Sequence, residues 1–313
     1  MKVFEDVVPP SALTNRAAVT IGAYDGVHRG HQAVLRLVHD LARARNLATV
    51  VVTFDRHPAE IVRPQSAPKL LTTLDQKIEL LSATGLVDIC VVIKFDDQRS
   101  KETAPEFVYE VLADNLHSQV VVVGADFHFG YRRGGNVALL EGMGPDLGFE
   151  VIGLGLVSDK SGDVPLSSTR VRERLGVGDV HSAAAILGRD HEVRGLVETG
   201  DRRGTELGFP TANVGVNDRT CLPADGVYAG TFVDSDGVER NAAISIGRRP
   251  TFYAEHGLQL LEANVLDFEG DLYGQQVKVR FRERVRDQRR FADVTELASQ
   301  LTADVALCRE ILN

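Results

Sequence analysis

Two histidines spaced three apart, in Gly22-Ala23-Tyr24-Asp25-Gly26-Val27-His28-Arg29-Gly30-His31, are the residues whose types and spacing point most directly to chemistry. Ahead of them, Ala17 to Ile21 reads as a short apolar strand. Behind them, Val34, Leu35, Leu37, Val38 and Leu41 recur at helical spacing. A strand therefore runs through a glycine-rich turn into a helix. Gly22, Gly26 and Gly30 carry no Cβ, so backbone can approach a ligand closely there. A helix start offers unpaired N–H groups and the positive end of the dipole, which together suit phosphate. His28 and His31 would share a face of the first turn and could steady charge on a departing pyrophosphate. A plain turn with two surface histidines is the less specific alternative. A zinc pair is disfavoured, because no cysteine lies near and no third ligand stands at metal-site spacing.

Further stretches carry candidate groups. Thr53-Phe54-Asp55-Arg56-His57-Pro58 follows an apolar run and, taken alone, reads equally as a turn closed by Pro58. Gly124 to Gly134 offers aromatic rings for stacking and arginines for phosphate, or else an ordered surface loop with aromatic anchors. In Ser167-Ser168-Thr169-Arg170-Val171-Arg172, Ser168 or Thr169 could cap a helix striped by Val171 and Leu175. The same hydroxyls with Arg172 could hold phosphate. Gly200 to Asn213 could cradle phosphates with backbone N–H groups, although it lacks the Gly-Lys-Ser/Thr of a P-loop. It ends in Thr211 and Asn213, oxygen donors fit for Mg²⁺, and a polar hairpin is its plain alternative. Glu262 sets a carboxylate in the apolar run Leu261 to Asp267. Buried there, it needs a partner or its pKa rises; an outward-facing position is equally open.

The elements that must position these groups fall into two kinds. Apolar runs over 47–54, 87–95, 120–124 and 151–157 predict strands, and 75–83 and 104–116 predict helices, with Pro105 at the start of the second. Strands alternating with helices predict an α/β, doubly wound parallel sheet, whose ligands bind beyond the carboxyl ends of the strands. After a short helix over 179–187 the period changes. Runs over 193–198, 226–233, 242–246, 258–266 and 276–282 predict consecutive strands, hence an antiparallel barrel, closed by a helix over 294–312. The reading gives two domains, 1–186 and 187–313.

At 313 residues the chain has room for both cores. A net charge of −9 argues against non-specific binding to nucleic acid or an anionic membrane. Cys90, Cys221 and Cys308 are far apart and odd in number, which predicts reduced thiols and a cytoplasmic protein. No signal peptide is expected from MKVFEDVVPP, and no apolar run approaches the roughly 20 residues that span a bilayer.

His28-Arg29-Gly30-His31 closely resembles the HxGH signature of nucleotidylyltransferases. With the motifs above it resembles bacterial bifunctional riboflavin kinase/FAD synthetases over about residues 17–310. Gly208-Phe209-Pro210-Thr211-Ala212-Asn213, Pro223 to Gly230, Ile246 to Phe252, Leu272-Tyr273-Gly274 and Val285 to Phe291 extend the match. The resemblance implies a Rossmann-like FMN adenylyltransferase (FAD synthetase) domain followed by a β-barrel riboflavin kinase domain. It implies riboflavin, FMN, FAD and ATP as small-molecule partners, with Mg²⁺ accompanying ATP. For FAD formation it implies His28 and His31 on the leaving pyrophosphate, and Gly22, Gly30, Ser168, Thr169 and Arg172 on ATP. For FMN formation it implies Glu262 as catalytic base, Gly204, Thr211 and Asn213 on ATP, and Thr211 and Asn213 also on the metal. On the flavin side it implies Phe54, His57, Asp126, Phe127 and Arg286. Arg56 stands where that family usually has Pro, and Gln288 where it often has Glu.

Overall fold

The computed structural model describes residues 1–13, 15–155, 166–199, 208–249 and 258–313. They form two compact units, Met1–Ser167 and Ser168–Asn313.

The first unit is built on a six-stranded sheet, every neighbouring pair parallel, in the order β1-β4-β3-β2-β5-β8. The strands are β1 (Lys2–Glu5), β2 (Ala17–Ile21), β3 (Ala48–Phe54), β4 (Ile89–Ile93), β5 (Ser118–Gly124) and β8 (Glu150–Leu154). A short hairpin, β6 (His128–Phe129) with β7 (Gly135–Asn136), follows β5. β2 and β4 are buried at every residue, because helices cover both faces of the sheet and near-continuous Val, Ile and Ala suit such strands. Alternate residues serve opposite layers. Val19, Val50, Val52, Val91 and Val121 pack with Phe107, Leu112 and Leu140. Ala18, Val120 and Val122 face Val38 and Ala42 of α1 (Arg29–Ala44).

A short α2 (Ala59–Val62) follows β3, and α3 (Leu74–Ala83) starts in a capping box made by Thr73 and Gln76. The helix expected over 104–116 is α4 (Ala104–Phe107) continuing as a π-helix through Asn115. Leu116 N–H there bonds Val111 O, the i to i−5 bond of that wider turn, and Val108, Val111 and Leu112 are buried in the core. α5 (Val137–Leu147) forms although Gly142, Gly144 and Pro145 lie within it, because both ends are capped. Asn136 accepts from Leu139 N–H, and Gly148 takes the left-handed conformation that ends the helix. The expected strand over 151–157 is seen as β8; positions 156 and 157 lie outside the described residues.

The second unit opens with α6 (Ser168–Gly176) and α7 (Val180–Leu187). A closed antiparallel barrel follows, in the order β10-β13-β12-β11-β14-β9. Its strands are β9 (His191–Glu198), β10 (Ala212–Gly215), β11 (Gly226–Val233), β12 (Glu239–Arg249), β13 (Leu258–Val265) and β14 (Gln276–Arg286). Val193, Val197, Val214, Ile244, Leu261 and Phe281 are buried, with less buried positions alternating along β9 and β10. The C-terminal helix, Val294–Leu312, lies on the barrel exterior and packs Cys308 and Val305 against Ala229, Ala243 and Leu266.

Candidate active sites

In the first unit, the loops after β3, β2 and β5 leave one edge of the sheet, because these three strands are neighbours and parallel. The residues singled out after each strand are thereby gathered at that edge: Gly22 to His31, Phe54 to His57, and Asp126 with Phe127.

The turn after β2 is clamped from several sides. Gly22 N–H bonds Val52 O at 3.0 Å. Asp25 is buried, and its carboxylate accepts from Leu71 N–H and Thr72 N–H, each at 3.0 Å. Gly26 N–H bonds Thr72 Oγ1 at 3.0 Å, and the buried Tyr24 hydroxyl shares a 2.8 Å bond with Thr20 Oγ1. Such clamping holds backbone that would otherwise be strained: Tyr24 and Val27 sit at φ 50° and 39°, in the region that L side chains avoid.

His28 is the N-cap of α1, its Nδ1 accepting from His31 N–H at 3.3 Å. A neutral His28 with an accepting Nδ1 carries its proton on Nε2. The two imidazoles stack with centroids 3.6 Å apart and planes 21° from parallel, and Tyr24 stands 4.8 Å from His31. Burial, then the neighbouring His28 and Lys77, holds the His31 pKa well below the ordinary histidine value. His31 is therefore neutral near pH 7. Gly30 must lack a Cβ, which would stand 2.7 Å from Leu166 O and 3.0 Å from His28 Nδ1.

The remaining groups at this edge are held by local contacts. Phe54 meets Phe95 edge-on at 5.5 Å. His57 Nδ1 accepts from Ala59 N–H at 3.1 Å, capping α2. Arg56, the departure from the family pattern, turns its guanidinium back onto Asp55 Oδ2 at 2.9 and 3.0 Å. Phe127 stacks on Phe129 at 5.3 Å, while Asp126 is exposed. Sequence reasoning missed Lys77, a buried lysine on α3 whose ammonium reaches two of these loops.

In the second unit, Ser168, Thr169 and Arg172 occupy the first turns of α6, and Val171 and Leu175 form its buried stripe. In the barrel, Glu262 on β13 lies directly opposite Asn213 on β10 and Ser245 on β12. Cross-strand partners share a face, so the three form one row. They alternate with the buried Leu261, Ala263, Val214 and Ile246, which places the row on the barrel exterior. Of the two readings of Glu262, the outward one is observed, with the residue half-buried. Thr211, two residues before Asn213, lines a cleft at the barrel end with Pro210, Phe268, Asp271 and Tyr273. Asn264 Nδ2 fixes that rim by donating to Pro210 O at 2.7 Å.

Gln288 Nε2 donates to Ser245 Oγ at 2.9 Å and to Ile246 O at 3.0 Å; an ionised Glu could accept from the Ser245 hydroxyl but has no proton to donate to the Ile246 carbonyl. Arg286 is engaged within the protein. Its Nε and Nη2 bond the buried Asp304 carboxylate, and its Nη1 donates to Asp287 O. Gly204, with the rest of 200–207, lies outside the described residues, as does Pro250-Thr251-Phe252. Among the described residues no group of three or more His, Cys, Asp or Glu could hold a metal ion. The oxygen donors of Thr211 and Asn213 suit a hard cation that keeps waters and nucleotide oxygens as its other ligands.

Comparison with known proteins agrees across the length of the chain. The family model for FAD synthetase matches residues 11–170, and that for riboflavin kinase matches residues 187–312. A bifunctional riboflavin kinase/FMN adenylyltransferase of Escherichia coli (strain K12) is 36% identical, covering 93% of this chain and 91% of its own. The protein of that description from Pseudomonas fluorescens is 37% identical, covering 93% and 92%. A crystal structure from Streptococcus pneumoniae, described as a macrolide-efflux protein, superposes with a TM-score of 0.85 at 30% identity over 99% of both chains. Among the described residues no helix is long and apolar enough to cross a membrane.

Proposed function

The chain belongs to the bifunctional riboflavin kinase/FMN adenylyltransferase family, and from that premise we propose how its residues divide the two reactions. It phosphorylates riboflavin with ATP to give FMN, and adenylylates FMN with a second ATP to give FAD and pyrophosphate. We put the division between the two working parts at residues 186 and 187, which the riboflavin kinase match beginning at 187 supports, whereas the compact units divide at 167 and 168, ahead of α6 and α7. Cys90, Cys221 and Cys308 are buried cysteines far apart in sequence, which favours a reducing compartment, and we place the enzyme in the cytoplasm.

For FMN formation, Glu262 accepts the proton of the terminal ribityl hydroxyl as its oxygen attacks the γ-phosphorus of ATP; ADP leaves. The observation that carries this assignment is the exterior row Asn213–Glu262–Ser245, which sets a carboxylate beside an amide oxygen within an ordered barrel. Thr211 and Asn213 would hold Mg²⁺, which neutralises charge on the ATP phosphates when bound. Gly204 joins the phosphate contacts by resemblance. The protein's remaining contribution is positioning.

For FAD formation, an FMN phosphate oxygen attacks the α-phosphorus of ATP, and the P–O bond to pyrophosphate breaks. The nucleophile is already an anion, so no protein base is needed. His28, through Nε2–H, and the neutral His31 stabilise the leaving group by hydrogen bonds. Gly22 and Gly30 let phosphate approach the backbone, and the ATP-phosphate roles of Ser168, Thr169 and Arg172 rest on the family resemblance alone. Phe54, His57, Asp126 and Phe127 take the flavin.

Two variants test the assignment. His28→Ala should lower FAD formation from supplied FMN by about 10²–10³-fold and leave riboflavin phosphorylation intact. Glu262→Gln should do the reverse. A folded variant that lost both reactions, or neither, would refute the assignment.

A further inference from the structure

Lys77 is buried where lysine is seldom found, at 7% exposure. It sits in the first turn of α3, and its Nζ donates to Phe54 O at 2.7 Å and to Ala23 O at 3.2 Å. Ala23 begins the turn that ends in His28 and His31; Phe54 begins the loop that carries His57. Thr53 Oγ1 also donates to Ala23 O, at 3.2 Å, so that carbonyl is held from two elements. Among the described residues no carboxylate lies within ion-pair distance of Lys77, and its third N–H has no protein acceptor. The charge is kept by two carbonyls and the field of Asp25, against a burial that draws the ammonium pKa down to about 8. A cation placed at such cost, with both its bonds spent on two loops of one site, is more than a helix surface residue.

We infer that Lys77 is a positioning residue for FAD formation, fixing the histidine turn against the flavin-side loop so that the FMN phosphate meets the ATP α-phosphorus in line. The inference rests on the assignment of FAD formation to this edge of the sheet. If Lys77 aligns two bound substrates, its loss separates binding from turnover. Each loop still takes its own ligand, but the reacting atoms are displaced, and a shift of about 1 Å costs about 10²-fold.

The test uses the full chain. Lys77→Met, Lys77→Arg and His28→Ala are compared for kcat of FAD formation with saturating FMN, ATP and Mg²⁺. Separate binding titrations use FMN and ATP, and riboflavin phosphorylation in the same samples serves as the folding reference. The expected result for Lys77→Met is a kcat lowered about 100-fold, with both affinities within about threefold of the parent. Lys77→Arg, which keeps the charge and donors, should recover kcat to within about tenfold. A folded Lys77→Met with kcat within threefold of the parent would overturn the inference. So would a Lys77→Met whose substrate affinities fall along with its kcat, or a Lys77→Arg no better than Met. Should Lys77→Met not fold, Lys77→Gln is judged by the same kcat-against-affinity criterion. If His28→Ala leaves FAD formation intact, the site assignment has failed; if His28→Ala abolishes it and the Lys77 variants do not touch it, only the present inference has failed.

Discussion

Asp304→Ala should weaken the barrel by an amount that can be worked from its contacts. The Asp304 carboxylate accepts from Arg286 Nε at 2.9 Å, Arg286 Nη2 at 2.6 Å and Gln300 Nε2 at 2.7 Å. The two side chains are 4% and 18% exposed, so removing the carboxylate strands a guanidinium with little access to water. Breaking a buried pair from one side costs about 3–5 kcal/mol. The residual exposure of Arg286 brings the figure to the lower end, about 3 kcal/mol. In a domain of this size about 3 °C accompanies each kcal/mol, so the midpoint should fall by about 9 °C. The assay is thermal loss of riboflavin phosphorylation, with FMN adenylylation in the same samples as an internal reference. Replacing both partners, with Arg286→Met and Asp304→Leu together, should restore most of the stability, because no charge is then left alone. That double variant also tests the flavin-side role assigned to Arg286 by resemblance: a raised riboflavin KM in a stable protein would support it. A shift in the Asp304→Ala midpoint below about 3 °C, equivalent to about 1 kcal/mol, would refute the reasoning.

Other expectations follow from the first unit. Gly30→Ala puts a Cβ 2.7 Å from Leu166 O and 3.0 Å from His28 Nδ1; it should reduce FAD formation at least about 10²-fold by displacing the imidazole, with riboflavin phosphorylation unchanged in the same chromatogram. His31 has a folded pKa below its unfolded value near 6.5, so above that pH neither state binds the proton. As the pH falls below it the unfolded chain binds more protons, and stability declines towards the folded pKa. The urea midpoint of the parent should therefore drop more between pH 7 and pH 5 than that of His31→Asn, and equal drops would show that His31 does not titrate in this way.

Much of the architecture was legible because burial writes itself into composition. β2 to β5 are largely buried and read as Val-rich, mostly apolar runs broken only by single residues such as Thr20, Thr49, Thr53 and Cys90, or by polar residues at the start of β5. The histidine turn was legible because glycine at fixed offsets has few uses besides close backbone approach. Other features left no local signal. β10 is four residues long and lies in a stretch rich in Gly, Pro and Thr, so it read as loop until its pairing with β9 and β13 closed the barrel. α5 carries Gly142, Gly144 and Pro145, and depends on its caps instead of its propensity. The outward direction of Glu262 was ambiguous because Leu260 and Leu261 flank it on both parities; only its register against Asn213 and Ser245 settles it. Lys77 was missed because Gln76-Lys77 in a helix reads as a solvated face. Its burial depends on carbonyls 23 and 54 residues away in sequence.

The claim that two separate sets of residues carry two successive reactions meets its most direct test in one chromatographic time course. His28→Ala and Glu262→Gln chains are incubated with riboflavin, ATP and Mg²⁺, singly and as an equimolar mixture. The account predicts that His28→Ala alone stops at FMN, that Glu262→Gln alone leaves riboflavin unchanged, and that the mixture makes FAD. Full conversion to FAD by either chain alone, or a mixture that makes none while each chain retains its own half-reaction, would contradict it.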